Sequence, residues 1–210
     1  MKEQPLTLPP GKRFHLKDFD PGYTGAFGSK KEAAKELQEN LERLHSLQEM
    51  LYANGKAGDS RSLLLVLQGM DTAGKGGIVN HVVAAGSPMG IDYHGFGVPT
   101  AEELEHHYLW RIRKALPAAG HIGVFDRSHY EDVLVVRVHN LVPPEVWGAR
   151  YDEINAFEKE LVDGGMTIVK VAMFVSLDEQ KRRLAARLED PTKYWKYNPG
   201  DLKERAVWPD

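Results

Sequence analysis

The chain has 210 residues, 42% of them hydrophobic, with a formal net charge of −3 and no cysteine. That length supports one substantial core and a single domain, and the near balance of 27 basic against 30 acidic residues excludes a global basic field for indiscriminate nucleic-acid binding. Without cysteine there are no disulfides, no thiolate catalysis and no cysteine-ligated zinc; a reducing compartment is suited, and the cytoplasm is the expected location.

Residues 1–28 read as an N-terminal arm. Pro5, Pro9 and Pro10 break the stretch from Met1 to Lys17, which lacks a continuous apolar run and so resembles neither a signal peptide nor a membrane anchor. Phe14, Phe19, Tyr23 and Phe27 are expected to pin the arm to the domain by their rings. Ser29 with Glu32 forms a capping-box pattern, and Leu37, Leu41, Leu44, Leu47 and Leu51 follow at helical spacing. This predicts a first helix to about Tyr52, ended by Asn54 and Gly55.

Ser62 to Leu67 is a short unbroken apolar run between turn residues, the pattern of a strand covered on both faces of a parallel sheet. Ile122 to Phe125 and the β-branched Thr167 to Val175 predict two more strands, with Tyr93 to Val98 a fourth candidate. Between them, Thr100 and Glu103 cap a helix to about Leu116, a second runs from Glu145 to Leu161, and Ser176 with Glu179 opens a third. Strands alternating with helices predict an α/β fold, a parallel sheet with helices on both faces. Residues 29–176 would form its core and 177–210 a separate segment.

The first strand runs into Gly69-Met70-Asp71-Thr72-Ala73-Gly74-Lys75-Gly76-Gly77, which has the spacing G-x-x-x-x-G-K, and then into a helical stretch through Ile78, Val82 and Val83. Glycines let successive backbone N–H groups turn inward around phosphate oxygens, and the helix adds the positive end of its dipole. Lys75 supplies a mobile cation. Met70, Thr72, Ala73, Gly74, Gly76 and Gly77 are therefore expected to bind phosphate with it. Gly76 stands where such loops usually carry the Ser or Thr that coordinates magnesium, so magnesium must find other oxygens. Asp71 and Asp126 are the candidates, Asp126 because the C-terminal ends of strands converge on the ligand crevice. For each aspartate the alternative is a helix N-cap.

Four segments together resemble the polyphosphate kinase 2 family: GMDTAGKGG, FGVPTAEELEHHYLWR from Phe96 to Arg111, FDRSHYEDVLVVRV from Phe125 to Val138, and the basic stretch from Lys181 to Trp208. They agree in order and spacing over nearly the whole chain. The resemblance implies a P-loop kinase fold of thymidylate-kinase type, a helical lid, magnesium, and reversible phosphoryl exchange between inorganic polyphosphate and a nucleotide. By position, Asp71 and Lys75 match the family's loop aspartate and lysine, Asp126 and Arg127 open its second motif, and Glu131 is that motif's acid. Some subclasses that phosphorylate mono- and diphosphates look to have Asn where Asp126 stands, which favours a nucleoside diphosphate as acceptor here. A homo-oligomer is expected, with neither nucleic acid nor membrane as partner.

The lid resemblance rests on Arg183, Arg187, Lys193, Trp195, Lys196 and Arg205. Cations suit such a segment because a transferring phosphoryl group spreads its charge over several oxygens, which arginine meets two at a time. Lys181 and Arg182 read equally well as a solvated helix face. The family continues past the lid with a helix, a fifth strand and a terminal helix, so that part of the domain is expected to be missing from a chain stopping at Trp208-Pro209-Asp210.

His106, His107, His121, His129 and His139 show no metal-ligand spacing and are expected to be structural or exposed, with substrate contact a second reading for His129. Arg111, Arg113 and Lys114 line either a polyanion channel or a solvated face, while Trp110, Trp147 and Phe157 are expected in the core. The competing functions are an ATP-dependent nucleoside or small-molecule kinase, which shares loop and fold, and a non-catalytic module binding nucleotide or polyphosphate.

Overall fold

Ser62–Gly69 forms strand β1 at the centre of a four-stranded, wholly parallel sheet, ordered β2-β3-β1-β4. The structure, a computed structural model, describes residues 7, 8 and 15–207; Phe14 and Trp208 lie outside the described residues. The partners are β2 (Ile91–Gly95), β3 (Ile122–Asp126) and β4 (Met166–Met173). All four expected strands exist, and β2 begins two residues before and ends three residues before the expected Tyr93 to Val98. β1 has neighbours on both edges, and its Leu64, Val66 and Leu67 are wholly buried, which is why it reads as a continuous apolar run. β4 lies at the edge of this sheet and alternates in exposure, with Val169 41% exposed.

The core joins Leu64 and Val66 of β1, Phe125 of β3 and Phe96 to Leu109, Ile112 and Phe157. Phe96 meets Phe125 edge-on at 4.9 Å between ring centroids, a favoured aromatic geometry. Phe157 is in the core as expected, but Trp110 and Trp147 are only half-buried. Trp110 stacks on His106 and lies beneath Lys114, and Trp147 lies beneath Arg137, so their broad faces cover cationic stems at the surface.

Helix α1 spans Lys30–Lys56 and passes through the predicted stop at Asn54 and Gly55. Gly55 is needed for packing instead of termination: a Cβ there would lie 2.5 Å from Cα of Gly120. The N–H of Ala57 closes the helix on the carbonyls of Ala53 and Asn54, and that of Gly58 on Gly55. At its start the Ser29 hydroxyl accepts from the Glu32 N–H, but the Glu32 carboxylate reaches Gly28 instead of Ser29, so only half of the capping box forms.

The helix expected from Thr100 to Leu116 is two helices, α3 (Ala101–Leu104) and α4 (Leu109–Lys114). A straight helix would put Leu104, Tyr108 and Ile112 on one face. Leu104 is 71% exposed and Ile112 fully buried, so the chain must bend between them. Arg111 follows Ile112 inward, donating to the Gly97 carbonyl at 3.0 Å and pairing with Glu103 and Asp132. It is neither a channel cation nor solvated surface. Arg113 is surface, paired with Glu160.

The remaining helices are α2 (Lys75–His81), α5 (Glu131–Val138), α6 (Pro144–Asp163), α7 (Leu177–Glu189) and α8 (Gly200–Ala206). The Ser176 hydroxyl caps α7 at the Glu179 N–H, as the sequence predicts. Phe19 of the arm rests on Phe174 with centroids 6.2 Å apart. No helix among the described residues is long and apolar enough to cross a membrane.

Candidate active site

β1 ends at Gly69 and α2 begins at Lys75, so the five residues between form a loop at the C-terminal edge of the sheet. Two of them have positive φ, Thr72 at 66° and Gly74 at 113°. Glycine takes that conformation without penalty, whereas for Thr72 the surroundings must enforce it. The Ala73 N–H closes a turn onto the Met70 carbonyl at 3.1 Å. Among the described residues, the N–H groups of Asp71, Thr72, Gly74, Lys75 and Gly76 make no hydrogen bond. Unpaired donors concentrated on six residues are what an anion-binding nest requires. A Cβ at Gly76 or Gly77 would meet nothing within 4 Å, so the approach to the first turn of α2 is open.

Lys75 is 9% exposed, and its Nζ donates to the carbonyls of Gly69 at 2.6 Å and Met70 at 3.3 Å. Burial, and then the charge of Arg127, hold its pKa below the ordinary lysine value, opposed by Asp126, Asp71 and Glu131. Three acids and a second cation, carried by the loop, the end of β3 and the start of α5, thus act on one ammonium.

Asp126 is the last residue of β3, opposite Leu67, and Arg127 follows at φ 66° with its N–H on the Leu67 carbonyl at 3.0 Å. This kink sends the Arg127 guanidinium across to Asp71, where Nη2 donates to Oδ1 at 2.9 Å. Asp126 Oδ2 accepts from the Tyr93 hydroxyl at 3.4 Å. Neither aspartate caps a helix, since Gly74 precedes α2 and Tyr130 precedes α5. Glu131 accepts from Gln68 Nε2 at 2.5 Å, and Gln68 Oε1 accepts from the buried Ser128 hydroxyl at 3.1 Å.

Among the described residues, no three His, Cys, Asp or Glu side chains gather to cage a metal. Magnesium does not need such a cage: it is commonly held by one or two carboxylates, with phosphate oxygens and water completing its shell. Asp71 and Asp126 each spend one carboxylate oxygen on a neighbour, which leaves the other open to a cation. The donor set fits magnesium.

α7 brings Arg183 to the loop, its Nη1 donating to the Thr72 carbonyl at 2.7 Å and its Nε to Glu179 at 2.7 Å. Arg187 is directed elsewhere: it binds Asp201 at 3.0 Å and the Lys196 carbonyl at 3.1 Å, joining α7 to the segment that follows. Lys193 pairs with Asp190 at 2.6 Å, and Lys196 lies 4.9 Å from the Trp195 ring on the surface. Asp201 of α8 is raised above the ordinary carboxylate value by burial, against the pull of Arg187 and with repulsion from Asp71 and Glu204 adding to it. His129 is 1% exposed and bonded to Glu158, so it faces the interior and not a substrate.

Sequence reasoning missed Gln68, Tyr93 and Gln180. The last had a readable signal: Gln180, Arg183, Leu184 and Arg187 recur at i, i+3, i+4 and i+7, one face of α7. Gln68 follows the apolar run of β1 and Tyr93 sits inside a strand pattern, and neither gave one.

A model of the family described as polyphosphate kinase 2 matches residues 28–210. The chain belongs to the polyphosphate kinase 2 family. It is 48% identical to the AMP/ADP-polyphosphate phosphotransferase of Meiothermus ruber over 200 residues, 95% of this chain and 73% of that protein. To the ADP-polyphosphate phosphotransferase of Rhodopseudomonas palustris it is 40% identical, covering 91% of this chain and 68% of that one. The crystal structure of polyphosphate kinase 2 from Arthrobacter aurescens superimposes with a TM-score of 0.92 at 52% identity, over 97% of this chain and 72% of that one. The P-loop kinase fold expected from the resemblance is therefore the fold of this family member.

Proposed function

We propose that this chain is a polyphosphate-dependent nucleotide kinase, reversibly transferring a phosphoryl group between inorganic polyphosphate and a nucleoside diphosphate, with monophosphates as further acceptors. The observation that carries this reading is the set of unpaired amides from Asp71 to Gly76 beside Lys75, Asp126, Arg127 and Arg183. Five N–H donors and three cations match a phosphate chain, and phosphoryl transfer is accelerated mainly by positioning and charge stabilisation. The names of the Meiothermus and Rhodopseudomonas relatives supply the donor.

The loop amides and Lys75 would orient one phosphate chain, and Arg127 and Arg183 would neutralise charge on the transferring group. No protein nucleophile is needed, because the attacking oxygen belongs to the acceptor phosphate. Asp71 and Asp126 would hold magnesium, which when bound offsets phosphate charge. For the acceptor, Asp126 favours a diphosphate, since family subclasses that take monophosphates as well look to have Asn at that position, while the Meiothermus relative is named for both AMP and ADP.

The deciding experiment is turnover with polyphosphate as sole donor against ADP, GDP, AMP and GMP, beside the same acceptors with ATP. ATP or GTP formed from polyphosphate is the expected result. Transfer from ATP alone would make the chain an ordinary nucleotide kinase, and tight binding without transfer a binding module.

A further inference from the structure

α7 holds the phosphate loop by its carbonyls. Gln180 is 2% exposed, and its Nε2 donates to the Asp71 carbonyl at 3.2 Å. Its Oε1 in turn accepts from Arg205 Nη1 at 2.8 Å, and the same guanidinium nitrogen donates to the Leu177 carbonyl at 3.0 Å. One turn further along, Arg183 holds the next carbonyl, that of Thr72, at 2.7 Å. Two successive peptide oxygens of the loop are thus drawn toward one helix face.

Between them Thr72 adopts its positive φ of 66°, a conformation that a β-branched residue does not choose unaided. Its own hydroxyl contributes nothing to that choice, being buried without a hydrogen-bond partner. The restraint must come from the flanking peptides. The peptide between Asp71 and Thr72 is trans, so a carbonyl drawn toward α7 turns the Thr72 N–H to the opposite side. That N–H is one of the unpaired donors of the cradle.

We propose that Gln180 is a positioning residue for phosphoryl transfer: by fixing the Asp71 carbonyl it aims the Thr72 amide at the bound phosphate and steadies the backbone that carries the Asp71 carboxylate. The inference rests on the reading of residues 69–77 as the phosphate cradle. It accounts for an amide at this buried place, because an apolar side chain of the same size would leave the Asp71 carbonyl without its partner and the Arg205 guanidinium with the Leu177 carbonyl in place of two acceptors. A carboxylate would keep Arg205 but oppose one oxygen to another at Asp71.

Gln180→Glu and Gln180→Met, made in the full chain, test it. Steady-state transfer, calorimetric affinity for tripolyphosphate, and thermal melting are measured on both variants and on the unmodified protein. With both substrates saturating, kcat is expected to fall on the order of tenfold to a hundredfold in each folded variant, the scale of a misplaced reacting group, with tripolyphosphate bound several-fold more weakly. The KM for nucleotide should change far less than kcat. A folded variant with kcat within twofold of the unmodified protein overturns the inference. So does a loss in both variants that follows the unfolded fraction, because Gln180 would then serve stability alone. Should the unmodified protein bind tripolyphosphate without transferring phosphate, the proposed function fails, and the affinity ratios of the variants still decide the role of Gln180.

Discussion

Asp71 and Arg127 meet at 2.9 Å although 56 residues separate them, joining the phosphate loop to the end of β3. Both side chains remain about a third exposed, at 35% and 36%. An ion pair of that exposure stabilises a fold by roughly 0.2–1 kcal/mol, too little to explain its place at the centre of the site. Asp71→Asn and Arg127→Ala are accordingly expected to melt within a few degrees of the unmodified protein, yet each to lower kcat by at least about tenfold. Because one pair serves both residues, the two losses should not add in the double variant. Additive losses would show that they act on separate steps.

Lys75 presents a balance of opposing effects. Its ammonium sits in a buried place and is held by two carbonyls, and burial depresses its pKa. Lys75→Met fills the same space and removes a charge that is costly to bury, so stability should hold while transfer falls by a factor of a hundred or more. Denaturant melts beside rate measurements separate the two effects. A folded Lys75→Met protein that kept most of its activity would remove the central assignment.

In the proposed function Asp126 acts on both metal and acceptor. Replacing it with Asn removes one negative charge while keeping an acceptor for the Tyr93 hydroxyl. Asp126→Asn is expected to require more magnesium for half-maximal rate and to raise the AMP to ADP rate ratio. Magnesium titrations at fixed nucleotide, repeated with each acceptor, measure both. An unchanged ratio would detach Asp126 from acceptor choice.

The sheet was legible because its strands are short apolar runs bounded by turn residues, and the loop because strand, G-x-x-x-x-G-K and helix follow without interruption. What escaped had tertiary causes. Gly55 looks like a stop signal but serves the contact with Gly120, and the bend between Leu104 and Leu109 exists only because Ile112 must reach the core. Arg187 reads as a phosphate cation, and Arg111 as a channel cation or a solvated face, until their acidic partners, Asp201 and Asp132, are brought beside them by folding. A sequence shows where cations are; only the fold shows which have already been neutralised.

Beneath α5, Glu158 is bonded to His129, Tyr130 and Lys170. Burial alone would raise its pKa, but hydrogen bonds from His129, Lys170 and Tyr130 outweigh it and hold the carboxyl down at about 2. The folded pKa lies below the ordinary value of 4.5, so the stabilisation is complete above about pH 4.5 and is lost as the pH falls toward 2. Glu158→Gln should destabilise the fold by about 2–3 kcal/mol at pH 7, and the difference from the unmodified protein should narrow in urea melts taken from pH 5 down to pH 3. A difference independent of pH over that window would mean that packing, and not charge, is what Glu158 contributes.

Arg183 combines a structural bond to the Thr72 carbonyl with a side chain still 40% exposed at the loop. If it also meets the charge that develops during transfer, Arg183→Ala should lower kcat by a factor of roughly ten to a thousand, with nucleotide affinity changing much less. Arg183→Lys should rescue only in part, because lysine keeps the charge but not the planar fork, and its single ammonium cannot bond Thr72 and a phosphate in the same geometry. Lys181 lies two residues away on the same helix and is exposed, which makes Lys181→Ala the internal comparison. Steady-state kinetics on the three variants decide between a specific and a diffuse role. Small and equal effects at 181 and 183 would reduce α7 to a general basic surface, and a large effect at 183 that lysine fully repaired would assign it charge without geometry.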